Sequence, residues 1–516
     1  MENPSPDPNS PPPPALSPAP PAASPAPTNK ALRWAVIAVY IAINAIVFYN
    51  ARRHDPGIGY DSDAHLHYLM AMSQGRLPNS DDSSEFFSPP LPYLPGALAL
   101  RMGEGLECAF KWAQYAQFAF SLVLTFFLLQ LCGLIRKDDD RLGLLALLCL
   151  GMIPAYYKTF AMIRGEPLLA TLAVVIAWLA VRTFIVKPRM SIIAAIVLGL
   201  LLGAAAISRQ WGIFLIPPVV LLAAWRMWRD GKFGPAFHTL AIAGLCCAIS
   251  GSWYYLHLHR TYGSMTAFNR TREAIDRPVS FYIAFPVAEI VKYPIRPQET
   301  KRQFLPILYR DLWGDFWMHF LVYGQNRKGR YMQGNYITRS QAIVKRPVFD
   351  NMDEISPYLR RVSLLSLLPT VVLICGVGSG AIAIMRIARA RPITTDSSDT
   401  PRVTIAYTAT IVFCTLGGYL WFIANYTDAS ADTVKASYIL QSFPFIALLS
   451  AVFLRGLIDR SPRAAALLIV LLIVVTAHNA PAMITRYRRD SDNACKEPPW
   501  DPKAKRPASS PALDEP

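Results

Sequence analysis

The chain has 516 residues, of which 53% are hydrophobic and only 17% charged, and its mean hydropathy is +0.27. Soluble domains carry about 25% charged residues, and the apolar runs here repeatedly approach the ~20 residues that cross a bilayer. These values exclude an ordinary soluble protein. The net charge of +16 comes from basic residues dispersed among short loops. Because they form no single basic stripe, we expect them to set membrane topology and not to bind nucleic acid.

The apolar runs predict an all-α polytopic membrane protein with about eleven transmembrane helices. Residues 1–29 are rich in Pro, Ser and Ala and nearly uncharged, which predicts a disordered tail. Because no short basic segment precedes an apolar one at the start, the first span is expected to be an uncleaved signal anchor. The predicted spans are 31–49, 108–134, 142–158, 167–186, 191–207, 212–225, 236–257, 362–385, 403–424, 437–454 and 464–480.

Basic residues are concentrated in every second short loop, which the positive-inside rule assigns to the cytoplasm together with the N-terminal tail. Segments 50–107 and 258–361 are then large extracytoplasmic loops, and an odd number of spans leaves the polar tail 481–516 outside. The basic set is Arg136, Lys137, Arg141, Lys187, Arg189, Arg226, Arg229, Lys232, Arg386, Arg389, Arg391, Arg402, Arg455, Arg460 and Arg463. The other short loops carry only Lys158, Arg164, Arg209 and Lys435.

Most of the eight cysteines lie inside apolar runs, where they are expected to be small buried hydrophobic residues. No Cys-x-x-Cys or Cys/His spacing indicates a zinc site. Cys108 and Cys495 both fall where the chain is expected to face the outside, and a disulfide between them is an alternative.

Two acids and two imidazoles are packed closely after the first span, at Asp61, Asp63, His65 and His67. If the chain is helical from about Ser62, Asp61/His65 and Asp63/His67 are both i,i+4 pairs. A carboxylate paired with an imidazole can orient it or act as a general base. In one alternative, Asp61 or Ser62 caps the helix while the histidines face solvent. In another, the four side chains bind Mn²⁺ or Zn²⁺, although the spacing requires no metal.

This cluster begins a longer pattern that resembles the first outside loop of C-type (GT-C) membrane glycosyltransferases. It is most similar to bacterial relatives of protein O-mannosyltransferases and to glucosyltransferases that use dolichyl-phosphate-glucose. Those loops commonly contain Asp-Glu-x-x-His, and this chain has Ser62 in place of the Glu, with Asp63 beside it. The matching residues are Asp61-x-x-x-His65-x-x-Tyr68, Gly75-x-Leu77-Pro78 and Ser88-Pro89-Pro90-Leu91-x-Tyr93.

The resemblance implies an inverting glycosyltransferase that moves a hexose or pentose from a polyprenyl-phosphate carrier to an acceptor hydroxyl on the extracytoplasmic side. Asp61 is then the base, with Asp63 or His65 orienting it, and the alternative is that Asp63 is the base, since Ser62 replaces the usual Glu. A bacterial protein of this kind lies in the plasma (inner) membrane. No cofactor is required by the sequence, and a divalent cation stays open. The alternative is a transporter or flippase of lipid-linked or anionic solutes, but the span interiors are nearly free of the acids that it would need.

Further candidate substrate-binding residues lie in the later outside loops, at Arg164, Glu166, Arg209, Lys435 and Tyr438. The resembling families place an acid beside an Arg in the second outside loop and a basic residue with a Tyr in the last one. The cations are candidates for binding the lipid phosphate. Alternatively, Glu166 is only a helix-start carboxylate, and Arg209 and Lys435 only extend toward the interface.

The expected organisation is a catalytic transmembrane module over 30–257, the long outside loop 258–361, and a C-terminal group of helices over 362–480. Within the long loop, Asp311 to Trp317 alternates acids with aromatic residues. This pattern predicts an interfacial helix anchored by its rings, or a lid over the entry of a lipid.

Overall fold

The computed structural model describes residues 30–186, 191–231, 233–268, 277–296, 303–322, 352–389, 399–426, 433–487 and 495. The predicted N-terminal tail and most of the predicted C-terminal tail therefore lie outside the described residues.

The described chain is built from α-helices in the following order. The first ten are α1 (Lys30–Arg53), α2 (Ser62–Ser73), α3 (Leu94–Arg101), α4 (Leu106–Ile135), α5 (Asp140–Gly151), α6 (Pro154–Ala161), α7 (Glu166–Val181), α8 (Ile192–Ala206), α9 (Ile216–Asp230) and α10 (Gly234–Tyr262). The remaining helices are α11 (Val279–Ile283), α12 (Val287–Lys292), α13 (Phe304–Trp313), α14 (Met352–Leu365), α15 (Leu367–Arg389), α16 (Thr400–Tyr426), α17 (Phe443–Arg460) and α18 (Pro462–Asn479).

The prediction of an all-α polytopic membrane protein is confirmed. Within the described ranges, nine helical segments are long and apolar enough to cross a bilayer. A tenth is the pair α5 and α6, which bends by 68° where Pro154 begins the second helix. The short α8 corresponds to the remaining predicted span. Helices α14 and α15 form one candidate span, Asp353–Arg389, which begins nine residues before the predicted 362.

One end of the helical bundle holds the segment that follows α1 and the described C-terminal residues. We call it the site end, because the candidate site residues Asp61 and Lys435 lie there. Asn50 Nδ2 donates to the carbonyl of Met483 at 2.7 Å, and His54 Nδ1 lies 2.7 Å from Thr485 Oγ1. Tyr487 donates its hydroxyl to the carbonyl of Met318 at 3.0 Å. The chain after α18 therefore returns to the side that holds the loop after α1, as an odd number of spans requires.

The structure contains the disulfide that the sequence offered only as an alternative, between Cys108 and Cys495. It links the first turn of α4 to the C-terminal segment at the site end. Both cysteines are therefore assigned to one side of the membrane.

We expect purified protein to resist alkylation at Cys108 and Cys495 until a reductant is added, because a disulfide sulfur has no thiolate to react. Peptide mass spectrometry after maleimide treatment in denaturant, where every free thiol is accessible, measures this. Cys246 and Cys247, which are partly exposed free cysteines, serve as unpaired controls. Labelling of Cys108 without reductant would contradict the pairing.

Helices α8 and α10 approach closely because glycines face the contact. Gly199 and Gly203 are four residues apart, the small-xxx-small spacing that lets membrane helices meet backbone to backbone. A Cβ at Gly199 would lie 2.3 Å from the carbonyl oxygen of Ala243, and one at Gly203 would lie 2.0 Å from Ser250 Oγ. In contrast, a Cβ at Gly244 of α10 would contact nothing within 4 Å.

The substitution Gly199→Ala should lower the thermal unfolding midpoint in detergent, because overpacking costs about 1–3 kcal/mol and the contacted atom belongs to the backbone. The matched control Gly244→Ala adds the same methyl group in open space and should leave the midpoint unchanged or slightly higher. Equal midpoints for the two variants would show that the close contact between α8 and α10 is absent.

Candidate active site

A small cavity of about 70 Å³ opens at the site end, and six ionised side chains lie around or beside it. Asp61, Glu85, Arg209 and Lys435 line the cavity, as does the ring of Tyr438. The remaining two, Arg164 and Glu166, lie directly behind and are buried. The structure thus gathers Asp61, Arg164, Glu166, Arg209, Lys435 and Tyr438, which the sequence singled out, and Asp61 and Lys435 alone are 374 residues apart in the chain.

Asp61 faces the cavity because its backbone is left-handed, with φ 53° and ψ 30°. It occupies the N-cap position of α2, but its side chain makes no capping hydrogen bond. Instead, Lys435 Nζ donates to Asp61 Oδ2 at 2.8 Å, and the Asp61 side chain remains 35% exposed. Non-glycine residues in this conformation cost free energy and often mark functional sites, and Asp tolerates it better than most residues.

The expected pairing of Asp61 with His65 is wrong as a side-chain contact. His65 is buried, and its Nδ1 lies 2.7 Å from the hydroxyl of Tyr93. The two rings stack with centroids 5.7 Å apart. Because the left-handed backbone turns the Asp61 carboxylate away from α2, only the backbone carbonyl of Asp61 meets the helix, accepting from the amide of His65 at 3.1 Å.

Asp63 does not join the cluster, because it points from the exposed face of α2. The hypothesis of a metal site made of Asp61, Asp63, His65 and His67 is therefore not supported, since Asp61 pairs with Lys435 and His65 with Tyr93. A divalent cation at Asp61 would first have to displace the Lys435 ammonium.

Arg164, Glu166 and Arg209 form a continuous buried ion-pair chain that ends at Glu85. Arg164 binds Glu166 through two nitrogens, each at 3.1 Å. Arg209 donates to the same carboxylate at 3.1 Å and to Glu85 at 3.1 Å. Ser88 completes the chain by donating to Glu85 and accepting from Arg209. Glu166 does begin a helix, α7, but its carboxylate is fully paired with arginines. Arg209 and Lys435 are buried, so neither extends toward the interface.

Two tyrosine rings hold the cations together. Tyr438 has Arg164, Arg209 and Lys435 within 5.6–5.9 Å of its centroid. Tyr60 has Arg164 at 5.1 Å and Lys435 at 5.2 Å from its own centroid. Cations over an aromatic face are attracted by its quadrupole, so these rings reduce the cost of burying neighbouring positive charges.

A second buried ion pair supports Lys435 from behind. Lys158 donates to the Asp311 carboxylate, which also accepts from the hydroxyl of Tyr60. The other Asp311 oxygen accepts from the backbone amide of Ala436 at 2.6 Å. Asp311 therefore fixes the residue next to Lys435.

The prediction of an interfacial helix at Asp311 to Trp317 is wrong, because Asp311, Trp313 and Trp317 are all buried inside the protein.

Burial and neighbouring charges determine the protonation states of three site-end groups outside the spans, Asp61, Glu85 and His65. Burial by itself would raise the pKa of Asp61, but the cations of Lys435 and Arg164 hold that pKa well below its usual range. Burial likewise raises the pKa of Glu85, and Arg209 outweighs it, so the net direction is downward. Burial lowers the pKa of His65 to about 4. The carboxylates are therefore ionised at neutral pH and the imidazole is neutral.

Sequence reasoning missed Glu85, Tyr60, Asp311 and His319 as members of this site. His319 is fully buried with its ring edge on Tyr60 at 4.8 Å, and within the described chain neither ring nitrogen has a hydrogen-bond partner. One further member was signalled by the sequence: Lys158, the partner of Asp311, is the remaining basic residue of the charge-poor short loops, and like Arg164, Arg209 and Lys435 it is buried here. The positive-inside rule does not explain basic residues in these loops, so their presence there indicated a site.

No protein-family model and no curated protein matches the sequence. Similar solved structures include ArnT from Cupriavidus metallidurans in the apo state, at 13% identity and a TM-score of 0.36 over 84% of this chain and 80% of that chain. The archaeal oligosaccharyltransferase AglB from Archaeoglobus fulgidus, in complex with an inhibitory peptide and a dolichol-phosphate, is 10% identical, with a TM-score of 0.45 over 88% of this chain. The arabinosyltransferase EmbB from Mycobacterium smegmatis is 13% identical, with a TM-score of 0.31 over 87% of this chain.

This chain spans 56% of the length of AglB and 41% of that of EmbB. The neighbours are GT-C glycosyltransferases, the superfamily that the loop after α1 resembles. At these identities and TM-scores the similarity transfers neither a substrate nor a residue role.

The buried His65 should make stability depend on pH. Its pKa is about 4 in the folded chain and near 6.5 when unfolded. The unfolded state therefore takes up a proton that the folded state does not, and the free energy of unfolding falls as pH decreases from 6.5 to 4. We expect the thermal midpoint of His65→Gln in detergent to decrease less across this range than that of the parent protein.

The control is His238→Gln, because His238 is an exposed histidine of α10. Its midpoint should follow the parent at every pH. A parallel pH dependence for His65→Gln and the parent would contradict the buried neutral imidazole.

Proposed function

We propose that this protein is an inverting membrane glycosyltransferase that uses a polyprenyl-phosphate sugar. The observation that carries the proposal is the ionised carboxylate of Asp61, which faces a cavity. The cations Lys435 and Arg209 line the same cavity, and Lys435 pairs with Asp61. A base beside phosphate-binding cations is what displacement of a lipid phosphate by a hydroxyl requires. The exposed position of Asp63 leaves Asp61 as the better candidate for the base.

In the proposed reaction, the Asp61 carboxylate accepts the proton of an acceptor hydroxyl. The acceptor oxygen forms a bond to the anomeric carbon while the bond from that carbon to the phosphate oxygen breaks. The phosphate leaves with the electron pair as a lipid phosphate monoester, stabilised by Lys435 and Arg209. The attacking and leaving oxygens lie on opposite faces of the sugar, so the anomeric configuration inverts.

The charge balance of the site adds a link between donor binding and base strength. Every cation of the cluster is already shared with a carboxylate, so a phosphate must draw one away. Lys435 is the best candidate for the cation that moves to the phosphate, because within the described chain Asp61 is the only acid with which it forms an ion pair. Moving the ammonium toward the phosphate raises the pKa of Asp61 from its lowered value, because the cation that lowers it has moved. Binding of the donor would thereby turn a weak base into a stronger one.

The cavity wall suits an amphipathic donor. One side carries the ionised groups, and another side consists of the aromatic rings of Trp211, Phe268, Phe422 and Tyr426. Trp211 and Phe422 pack edge to face with centroids 4.5 Å apart. An apolar surface next to buried cations matches a ligand with a hydrocarbon chain attached to a phosphate.

The substitution Asp61→Asn should reduce sugar transfer by about 10²–10⁴-fold, the usual effect of removing a general base, while undecaprenyl phosphate still binds. The assay uses purified protein with a panel of undecaprenyl-phosphate hexoses and pentoses, and it follows release of undecaprenyl phosphate and mass of the product. Asn accepts the left-handed backbone, and a monodisperse elution profile checks the fold.

The matched control is Asp63→Asn, which removes an acid of the same helix that faces away from the cavity and should retain parental turnover. Parental turnover by Asp61→Asn would reject Asp61 as the base. Solute movement across vesicles without sugar transfer would favour the transporter alternative instead.

A further inference from the structure

A second and larger cavity lies at the opposite end of the bundle, where the short basic loops are concentrated, and we call this the arginine-rich end. Its volume is about 730 Å³, within the ~300–1,000 Å³ typical of small-molecule sites. The ends of α9, α15 and α17, the start of α16 and the connection from α4 to α5 surround it. None of the residues of the candidate active site lines it.

The charges of this cavity do not balance, in contrast to those at the site end. Six arginines line it: Arg136, Arg229, Arg386, Arg402, Arg455 and Arg460. Arg229 pairs with Asp399 at 3.0 Å, Arg455 pairs with Asp139 at 2.9 Å and with Asp459, and Arg136 pairs with Asp459 at 3.1 Å and with Asp139 at 3.4 Å. Arg386, Arg402 and Arg460 form no ion pair with any carboxylate of the described ranges. The cavity therefore attracts an anion.

The walls between the arginines are apolar, formed by side chains such as Trp225, Phe453 and Leu457. Arg229 lies 5.3 Å from the Trp225 ring. Trp228 at the rim is 59% exposed, as expected of an aromatic residue at the membrane interface. A small inorganic anion would gain nothing from these walls, whereas an acyl chain would be removed from water there.

We propose that this cavity binds the headgroup and upper acyl chain of an anionic phospholipid, with Arg386, Arg402 and Arg460 contacting the phosphate. Basic cavities between transmembrane helices are suited to lipid headgroups because the arginines provide charge and the helices provide apolar contact. The proposal does not depend on the function of the candidate active site. It predicts that the cavity at the arginine-rich end binds anionic phospholipids in preference to zwitterionic ones.

The test uses the full-length protein, delipidated in detergent, with native mass spectrometry of bound lipid during titration with phosphatidylglycerol or phosphatidylcholine. We expect phosphatidylglycerol to bind more tightly. The double variant Arg386→Gln/Arg402→Gln should weaken that binding by about 25-fold, because an arginine near an anionic lipid contributes about fivefold. Phosphatidylcholine binding should not change.

The matched control is Arg389→Gln/Arg463→Gln, which removes the same charge from two exposed arginines at this end that do not line the cavity. It should bind phosphatidylglycerol as the parent does. Equal weakening in both double variants would show an effect of general surface charge and would overturn the proposal. Equal affinity for the two lipids would also overturn it. Full competition by glycerol 1-phosphate would overturn it as well, because it would indicate a site for small anions.

Discussion

The structure at the site end depends on charge neutrality among buried ions. Burying an ionised side chain is costly unless it is paired and hydrogen-bonded. Three acids and three bases around the small cavity satisfy this condition together, because each carboxylate meets a guanidinium or ammonium group. Removing one member leaves its partner buried without compensation. The cluster therefore positions the loops after α1, before α7 and before α17 relative to one another, and it defines the shape of the cavity.

The same neutrality constrains the chemistry. A site with no spare cation can receive a lipid phosphate only by redistributing the charges that it already has. The pair of Lys435 with Asp61 is the most accessible place for this, since Asp61 is partly exposed while Arg164 and Glu166 are fully buried. Behind Lys435, the Tyr60 ring lies 5.2 Å from the ammonium, and Asp311 accepts from the backbone amide of the next residue, Ala436. Under the proposed function, the substrate itself changes the proton affinity of the base.

The two ends of the bundle handle charge in opposite ways. At the site end, the few basic residues are buried and neutralised by acids. At the arginine-rich end, the basic residues lie near the surface and outnumber the acids around the larger cavity. The first arrangement suits a ligand that is bound and released during a reaction, because an incoming anion must compete with the existing ion pairs. The second suits a resident anion such as a lipid headgroup, because attraction is not cancelled within the described chain.

The sequence by itself determined the all-α polytopic architecture, since apolar runs of bilayer length and helix-terminating residues are local properties of the chain. It also offered Asp61, Arg164, Glu166, Arg209, Lys435 and Tyr438 as candidates, through charges beside spans and through the resemblance of the outside loops to those of GT-C glycosyltransferases. The tertiary structure decided which charges meet. Asp61 pairs with Lys435 and not with His65, because a single left-handed residue redirects its carboxylate. Glu85 and Asp311 join the site through contacts across more than one hundred residues. Such partners depend on how helices pack, and no spacing within one segment encodes them.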